Sequence, residues 1–203
     1  MRYFLISCSA LLMACSSYPK KHDFRRAENT AAHKVINPYF SDVDRDYVYK
    51  AKITFSNRSF GGLLVVKKMG NTHHRIVFTT EMGNKLLDFS FEGNTFRVNY
   101  ILEEMNRKIL INLLKKDFYV LIHEQPSVLY QYMGSEGNAL LETKIGQDTY
   151  FYLQKGQNLE KIIATGKGRE KTVYVFSDLD DHLAREIDIA HKNIKLNINL
   201  KSI

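Results

Sequence analysis

The fold is decided by residues 47–122, which read YVYKAKITFSNRSFGGLLVVKKMGNTHHRIVFTTEMGNKLLDFSFEGNTFRVNYILEEMNRKILINLLKKDFYVLI. From Tyr47 to Phe55, apolar side chains occupy every odd position. Side chains of a strand point alternately to its two faces, so this pattern predicts a strand with one buried face. Four similar runs follow, separated by short gaps rich in Gly and Asn: Phe60–Lys67, His73–Thr80, Lys85–Phe91 and Thr95–Ile101. Gaps of this length allow only hairpin turns, which predicts an antiparallel meander.

The apolar period lengthens after the fifth run. Between Glu103 and Ile122, a stripe of Met105, Ile109, Leu113 and Phe118 recurs at roughly helical spacing. Acidic residues at the start of this segment suit the positive end of a helix dipole. The sequence therefore predicts one helix, with this stripe packed against the concave face of the sheet.

Strand-like runs resume after this helix. Seven segments carry alternating or apolar patterns and are bounded by turn residues: Leu129–Met133, Ala139–Ile145, Thr149–Gln154, Leu159–Gly166, Thr172–Phe176, Leu183–Ala190 and Ile194–Leu200. The sixth of these could instead form a helical turn. The chain is thus predicted to be mainly β (α+β), with about 11–12 strands and one long helix inserted after the fifth strand.

The N-terminus carries a separate signal. Arg2 precedes a short apolar run that ends in Leu12-Met13-Ala14-Cys15, and this arrangement resembles the signal of bacterial lipoproteins. The resemblance implies that residues 1–14 are removed and that Cys15 is acylated. An ordinary secretory signal, or a buried run with a chance cysteine, is the alternative. The apolar run is too short to span a membrane.

The division of the chain follows from this signal. Residues 15–46 are predicted to be an acylated tether, with a possible short helix over 26–35, and residues 47–203 a single domain. If flexible, the tether would reach roughly 30 Å. Its basic excess could lie beside anionic headgroups or simply be solvated. Removal of Cys8 and acylation of Cys15 would leave no free thiol, since the chain has 2 Cys.

Composition and motifs disfavour several functions. The formal net charge is +7, but basic and aromatic residues alternate on opposite faces of strands, which argues against nucleic-acid binding. The acidic run from Asp178 to Glu186 lacks the glycine bend of a cation loop and suits a solvated connection. Asp117 interrupts the charge pattern of the helix, and we expect it to bond a strand or loop. We predict no catalytic residues, no metal and no cofactor.

The order of elements resembles the lipoprotein-carrier superfamily that includes LolA and LolB. Residues 60–65 (Phe-Gly-Gly-Leu-Leu-Val) and 75–83 (Arg-Ile-Val-Phe-Thr-Thr-Glu-Met-Gly) are similar to its early strands. The resemblance implies an open antiparallel β half-barrel covered by helices, with a concave cavity for acyl chains. It also implies an acceptor anchored to the outer membrane through its acyl chains. We expect the protein to be a monomer. Ser16 and the residues after it are not acidic, which favours facing the periplasm.

The same pattern predicts where a lipid would bind. Candidate cavity residues are those predicted to point inward: Tyr49, Ile53, Phe55, Phe89, Phe91, Val98, Tyr100, Leu113 and Phe118. Met69 and Met82 lie in turns and are candidates for membrane contact, as the resemblance implies. Inward aromatic residues can either line a ligand cavity or fill a core, so two functions remain open. These are a lipid or lipoprotein acceptor and a non-enzymatic envelope scaffold.

Overall fold

A computed structural model describes residues 17–28 and 34–203. Its strands form one antiparallel sheet of 13 strands in the order β1-β7-β8-β9-β10-β11-β12-β13-β2-β3-β4-β5-β6. The strands are β1 (Arg25–Arg26), β2 (Asp46–Phe55), β3 (Arg58–Gly70), β4 (His73–Thr79), β5 (Lys85–Glu92), β6 (Thr95–Ile101), β7 (Val128–Met133), β8 (Ala139–Ile145), β9 (Asp148–Lys155), β10 (Asn158–Gly166), β11 (Arg169–Asp180), β12 (Leu183–His191) and β13 (Leu196–Ser202). The helices are α1 (Tyr18–Lys21) and α2 (Lys108–Ile122).

The sheet is an open half-barrel, as predicted, with β1 and β6 as its edge strands. Most neighbours are consecutive hairpins, and the two halves of the chain join where β13 pairs with β2. The predicted strand Leu183–Ala190 is confirmed as β12, and the alternative of a helical turn is wrong, because these residues pair with both neighbouring strands. The short strand β1 was not predicted, so α2 follows the sixth strand rather than the fifth.

Helix α2 begins later than predicted, and its buried stripe differs from the predicted one at two positions. Residues 103–105 form a separate 3-10 turn, and the helix starts at Lys108. Leu110, Leu114 and Phe118 are fully buried. Met105 and Phe118 of the predicted stripe are buried, whereas Ile109 is 54% exposed and Leu113 is half-buried, so the prediction is wrong by one position in the middle of the stripe. Helix α2 carries apolar residues on more than one side, so its sequence allows more than one stripe to face the sheet. Packing against the sheet determines which stripe is buried.

The inner face of the sheet and α2 enclose one continuous core. Tyr49 and Ile53 of β2, Phe89 of β5 and Phe118 of α2 all belong to it and are at most 1% exposed. The rings of Phe89 and Phe118 lie 6.3 Å apart in an edge-to-face arrangement. Such side chains pack at the density of a solid interior. The helix therefore fills the concave face on which a central acyl cavity was predicted.

A β-bulge in β6 redirects one predicted cavity residue, Tyr100. The register shifts where Asp88 pairs with Tyr100 but Phe89 pairs with Val98, and a bulge places neighbouring side chains on the same face. Tyr100 is consequently 42% exposed, and Val98, on the edge strand, is 37% exposed. The predicted inward placement of Tyr100 was therefore wrong, whereas Val98 pairs with Phe89 of the inner face and keeps its predicted side. Phe55, at the end of β2, packs only partly against the core.

The outer side of this bulge holds a buried carboxylate. Asp88 is 1% exposed in its side chain and accepts a hydrogen bond from Arg75 Nη2 at 2.8 Å. Asn99 and Lys85 also donate to it, at 3.0 and 3.1 Å. The Arg75 hydrogen bond is the largest effect that holds the pKa of Asp88 well below its usual range. The carboxylate thus stays charged where β4, β5 and β6 meet.

Strand β3 approaches β4 so closely at Gly62 that no side chain fits there. A Cβ added at Gly62 would lie 1.8 Å from the carbonyl oxygen of Thr79 on β4, whereas one added at Gly61 would meet nothing within 4 Å. Real Cβ atoms do not approach so closely, so β3 and β4 can pair here only because residue 62 has no side chain.

Residues 34–46, predicted to belong to the tether, instead pack against the domain. Tyr39 and Phe40 are at most 2% exposed, and the Tyr39 hydroxyl donates to the Leu159 carbonyl at 2.7 Å. Asn37 donates from its amide to the Leu121 carbonyl at 2.9 Å. Carbonyls in the last turn of a helix lack intrahelical partners, so this bond satisfies one of them.

Residues 17–28 lie on the opposite, convex face of the sheet. Tyr18 and Pro19 of α1 are buried, and Tyr18 stacks on Phe151 of β9 with ring centroids 4.9 Å apart. Arg25 and Arg26 form β1 and pair with the end of β7. The described part of the predicted tether is therefore ordered on the domain rather than extended away from it.

The predicted signal, residues 1–14, and the acylation site Cys15 lie outside the described residues. Within the described ranges, no helix is long and apolar enough to cross a membrane. Met82 is 91% exposed in the turn between β4 and β5, and Met69, near the end of β3, is 53% exposed. Their contact with a membrane stays a prediction.

Candidate functional site

The open side of the half-barrel carries an apolar groove beside α2. We call it the α2 groove; it encloses about 290 Å³, and its lining includes Phe91, Phe96, Lys115, Tyr119, Ile145 and Tyr150. Three separate segments build it: the β5–β6 hairpin, the outward half of α2 and the β8–β9 turn. Strand β6 is an edge strand, so no further strand covers its free side. Helix α2 lies beside that free edge, and the groove lies between them.

Aromatic side chains form much of the lining. Phe91 and Phe96 pair across β5 and β6 with ring centroids 5.1 Å apart, and Tyr119 lies 6.4 Å from the Phe91 ring. Pocket linings of this kind bind chiefly by removing apolar surface from water, at about 25 cal/mol per Å². The interior of the groove thus suits a hydrocarbon chain.

Two lysines stand at the groove. The Lys115 ammonium lies 5.1 Å from the centre of the Phe96 ring, and Lys116 forms an ion pair with Asp148 on β9. Lys115 is exposed, so its ammonium can meet a ligand from the solvent side. An apolar interior with a cationic rim matches an amphiphile that carries an anionic end.

A polar pocket of about 540 Å³ adjoins the α2 groove and shares Phe91, Gly93, Asn94 and Tyr119 with it. Its other lining residues include Lys68, which pairs with Glu124 at 2.7 Å. Burial lowers the pKa of His74 and of His123, which favours their neutral forms. Its lysine is already paired, so this polar pocket offers hydrogen bonding rather than a strong charge.

Behind the groove, a buried polar network ties α2 to the sheet. Asp117 is 1% exposed; it accepts a hydrogen bond from the Tyr174 hydroxyl at 2.9 Å and contacts His191 Nε2 at 2.8 Å. Thr172 Oγ1 lies 3.2 Å from His191 Nδ1. Burial raises the pKa of Tyr174 well above its usual value. The prediction that Asp117 bonds a strand is confirmed.

A second groove, of about 440 Å³, crosses the convex face near β2 and β13. Its lining carries three lysines and three carboxylates, and two of the lysines are paired, since Lys50 lies 3.1 Å from Glu81 and Lys201 lies 2.9 Å from Glu186. Surface pairs of this kind are mutually satisfied and leave little net charge for a ligand. The α2 groove is therefore the better candidate for binding.

The described residues include no cluster of three or more His, Cys, Asp or Glu side chains able to hold a metal ion. In the acidic run, Arg185 pairs with Asp180 at 2.5 Å.

Of the predicted cavity residues, Phe91 lines the α2 groove, while Tyr49, Ile53, Phe89 and Phe118 belong to the core. Sequence analysis missed the contribution of the β8–β9 turn, because local periodicity says nothing about which turns approach α2.

No protein-family model and no curated protein matches the chain. Among solved structures, it is similar to a DUF1329 family protein from Desulfovibrio piger, determined as a crystal structure at 1.75 Å resolution. The two share 9% sequence identity; the match covers 78% of this chain and 83% of the other, with a TM-score of 0.42. A likeness of this strength says nothing about ligands or activity.

Proposed function

We propose that this protein is a lipid-anchored component of the bacterial cell envelope that binds an acyl chain in the α2 groove. The observation that carries the proposal is the aromatic groove on the open side of the half-barrel, with Lys115 at its rim. The role is binding rather than catalysis. The ligand class is a fatty acid or the acyl chain of a lipid or lipoprotein.

The size of the groove supports a single chain. Ligand pockets usually enclose about 300–1,000 Å³, and the α2 groove, at about 290 Å³, lies at the lower limit. Each buried methylene contributes about 0.8 kcal/mol. A single acyl chain with its carboxylate near Lys115 is thus a better match than a complete lipid.

A fluorescent fatty acid tests this proposal. We expect the chain from residue 15 onward, with Cys15→Ser, to bind cis-parinaric acid. Lys115→Trp would fill the groove and remove its cation, so it should weaken binding at least tenfold. Lys108→Trp removes the same charge two turns earlier on α2, away from the groove lining, and should leave binding unchanged. Equal affinity of the two variants would exclude the α2 groove as the site.

The second candidate function is an envelope scaffold, and the filled core favours it. Helix α2 occupies the concave face, and the aromatic residues predicted to line a cavity pack against it. A scaffold needs no ligand. Failure of the unsubstituted protein to bind the fatty acid would decide for this second function.

Anchoring at the outer membrane is a separate part of the proposal. One acyl chain gives marginal membrane binding and several give stable binding. Cys15→Ala should therefore leave the protein soluble or as uncleaved precursor. Mature-sized Cys15→Ala protein in the membrane fraction, at the level of the unsubstituted protein, would contradict acylation. Sucrose-gradient separation of inner and outer membranes tests the location.

A further inference from the structure

Helix α1 is held firmly on the convex face of the sheet. Tyr18 packs in a separate cluster with Leu140, Phe151 and Ile163, which point away from the main core. The Tyr18 hydroxyl donates to Glu170 at 3.1 Å, on the strand that follows the β10–β11 turn. This face carries the start of the described chain, at Ser17.

The distance from this face to Cys15 is short. Cys15 lies two residues before Ser17, and two residues span at most about 7 Å. The sequence alone had suggested a tether with a reach of roughly 30 Å. An acyl chain on Cys15 would instead bring α1 and the β10–β11 turn directly to the bilayer surface.

Positive charge surrounds this point. Lys20 and Lys21 of α1, together with Lys167 and Arg169 of the β10–β11 hairpin, are all exposed. Lys21 Nζ donates to the Gly168 carbonyl at 3.2 Å, which holds α1 beside that turn. Of the nearby carboxylates, Glu170 accepts the Tyr18 hydroxyl and Asp23 is exposed. Basic side chains therefore outnumber acidic ones on the surface formed by α1 and the β10–β11 turn.

We propose that this basic face, formed by α1 and the β10–β11 turn, lies against an anionic lipid bilayer. Basic residues near an anionic surface each contribute binding energy that salt weakens. The domain would then have a fixed orientation on the membrane, with its convex face down, rather than swinging on a linker. This proposal uses the anchor site of the proposed function, but the basic face can be tested without acylation.

The test is vesicle co-sedimentation of the unacylated chain from residue 15, with Cys15→Ser, at low ionic strength. It should bind phosphatidylglycerol vesicles, release them as salt rises, and bind phosphatidylcholine vesicles much more weakly. Lys20→Glu with Arg169→Glu should weaken binding at least about 25-fold, at about fivefold for each cation. The control pair Lys108→Glu with Lys155→Glu changes net charge equally at exposed positions away from this turn, at the start of α2 and at the end of β9, and should weaken it far less.

Lys167→Glu is the second variant and should weaken binding about fivefold or more, even if the double variant folds poorly. Circular dichroism checks that each variant is folded. Equal losses in the basic-face and control pairs, no binding to phosphatidylglycerol, or equal binding to both vesicle types would overturn the proposal. Fatty-acid binding in the α2 groove should be unchanged throughout, so failure here is distinguishable from failure of the proposed function.

Discussion

Removal of the Asp117 carboxylate should destabilise the fold strongly, because the side chain is 1% exposed and joins α2 to two strands. Asp117→Ala leaves the Tyr174 hydroxyl and the His191 ring without this partner. A buried donor left without its partner costs about 1–3 kcal/mol, so two such donors cost about 2–6 kcal/mol. In a domain of this size, that loss lowers the melting temperature by about 4–24 °C, at about 2–4 °C per kcal/mol.

Urea denaturation followed by circular dichroism measures this effect. Asn112→Ala, an exposed change on the same helix, is the control and should stay within about 0.5 kcal/mol of the unsubstituted protein. Tyr174→Phe removes one hydrogen bond alone, and its effect should be smaller when Asp117 is already Ala, because the two share a bond. If Asp117→Ala is as mild as the control, the network does not hold α2 in place.

Three further predictions concern stability. Leu114→Asp buries an unpaired carboxylate and should lower the free energy of unfolding by several kcal/mol. Ile109→Asp, on the exposed side of α2, should change it by less than about 1 kcal/mol. If urea denaturation ranks the two variants the other way, Ile109 rather than Leu114 packs against the sheet. Gly62→Ala should prevent folding or lower the melting temperature sharply, while Gly61→Ala should be tolerated, and similar melting curves would refute the close contact. Because the pKa of Asp88 is lowered in the folded protein, the stability that this carboxylate contributes is complete above about pH 4 and is lost as the pH drops further. Urea denaturation at several pH values should show a flatter acid dependence for Asp88→Asn, and an unchanged slope would rule out this origin.

Local sequence was enough to define most strands. The predicted ranges Thr95–Ile101 and Ala139–Ile145 coincide with β6 and β8. Alternation with period two and turns built on glycine or asparagine act between residues close in the chain, so they can be read without knowing the tertiary structure. The antiparallel order of the sheet followed, because short turns permit only hairpins.

The α2 groove was predictable only in part. Alternation placed Phe91 on the inner face, which is correct, and it lines the groove. Lys115 and Ile145 come from elements far apart in the chain, and nothing in either segment indicates that they meet. The bulge that turns Tyr100 outward depends on register with β5, and alternation within β6 assumes that no bulge exists.

The sequence by itself determined the strands, their antiparallel pairing and the presence of one amphipathic helix. Tertiary structure decided which stripe of α2 is buried, that the helix fills the concave face, and that residues 34–46 pack rather than extend. Asn37, for example, bonds the Leu121 carbonyl from 84 residues away. Such contacts depend on the assembled sheet and helix, because they satisfy polar groups and fill spaces that do not exist in the isolated segments.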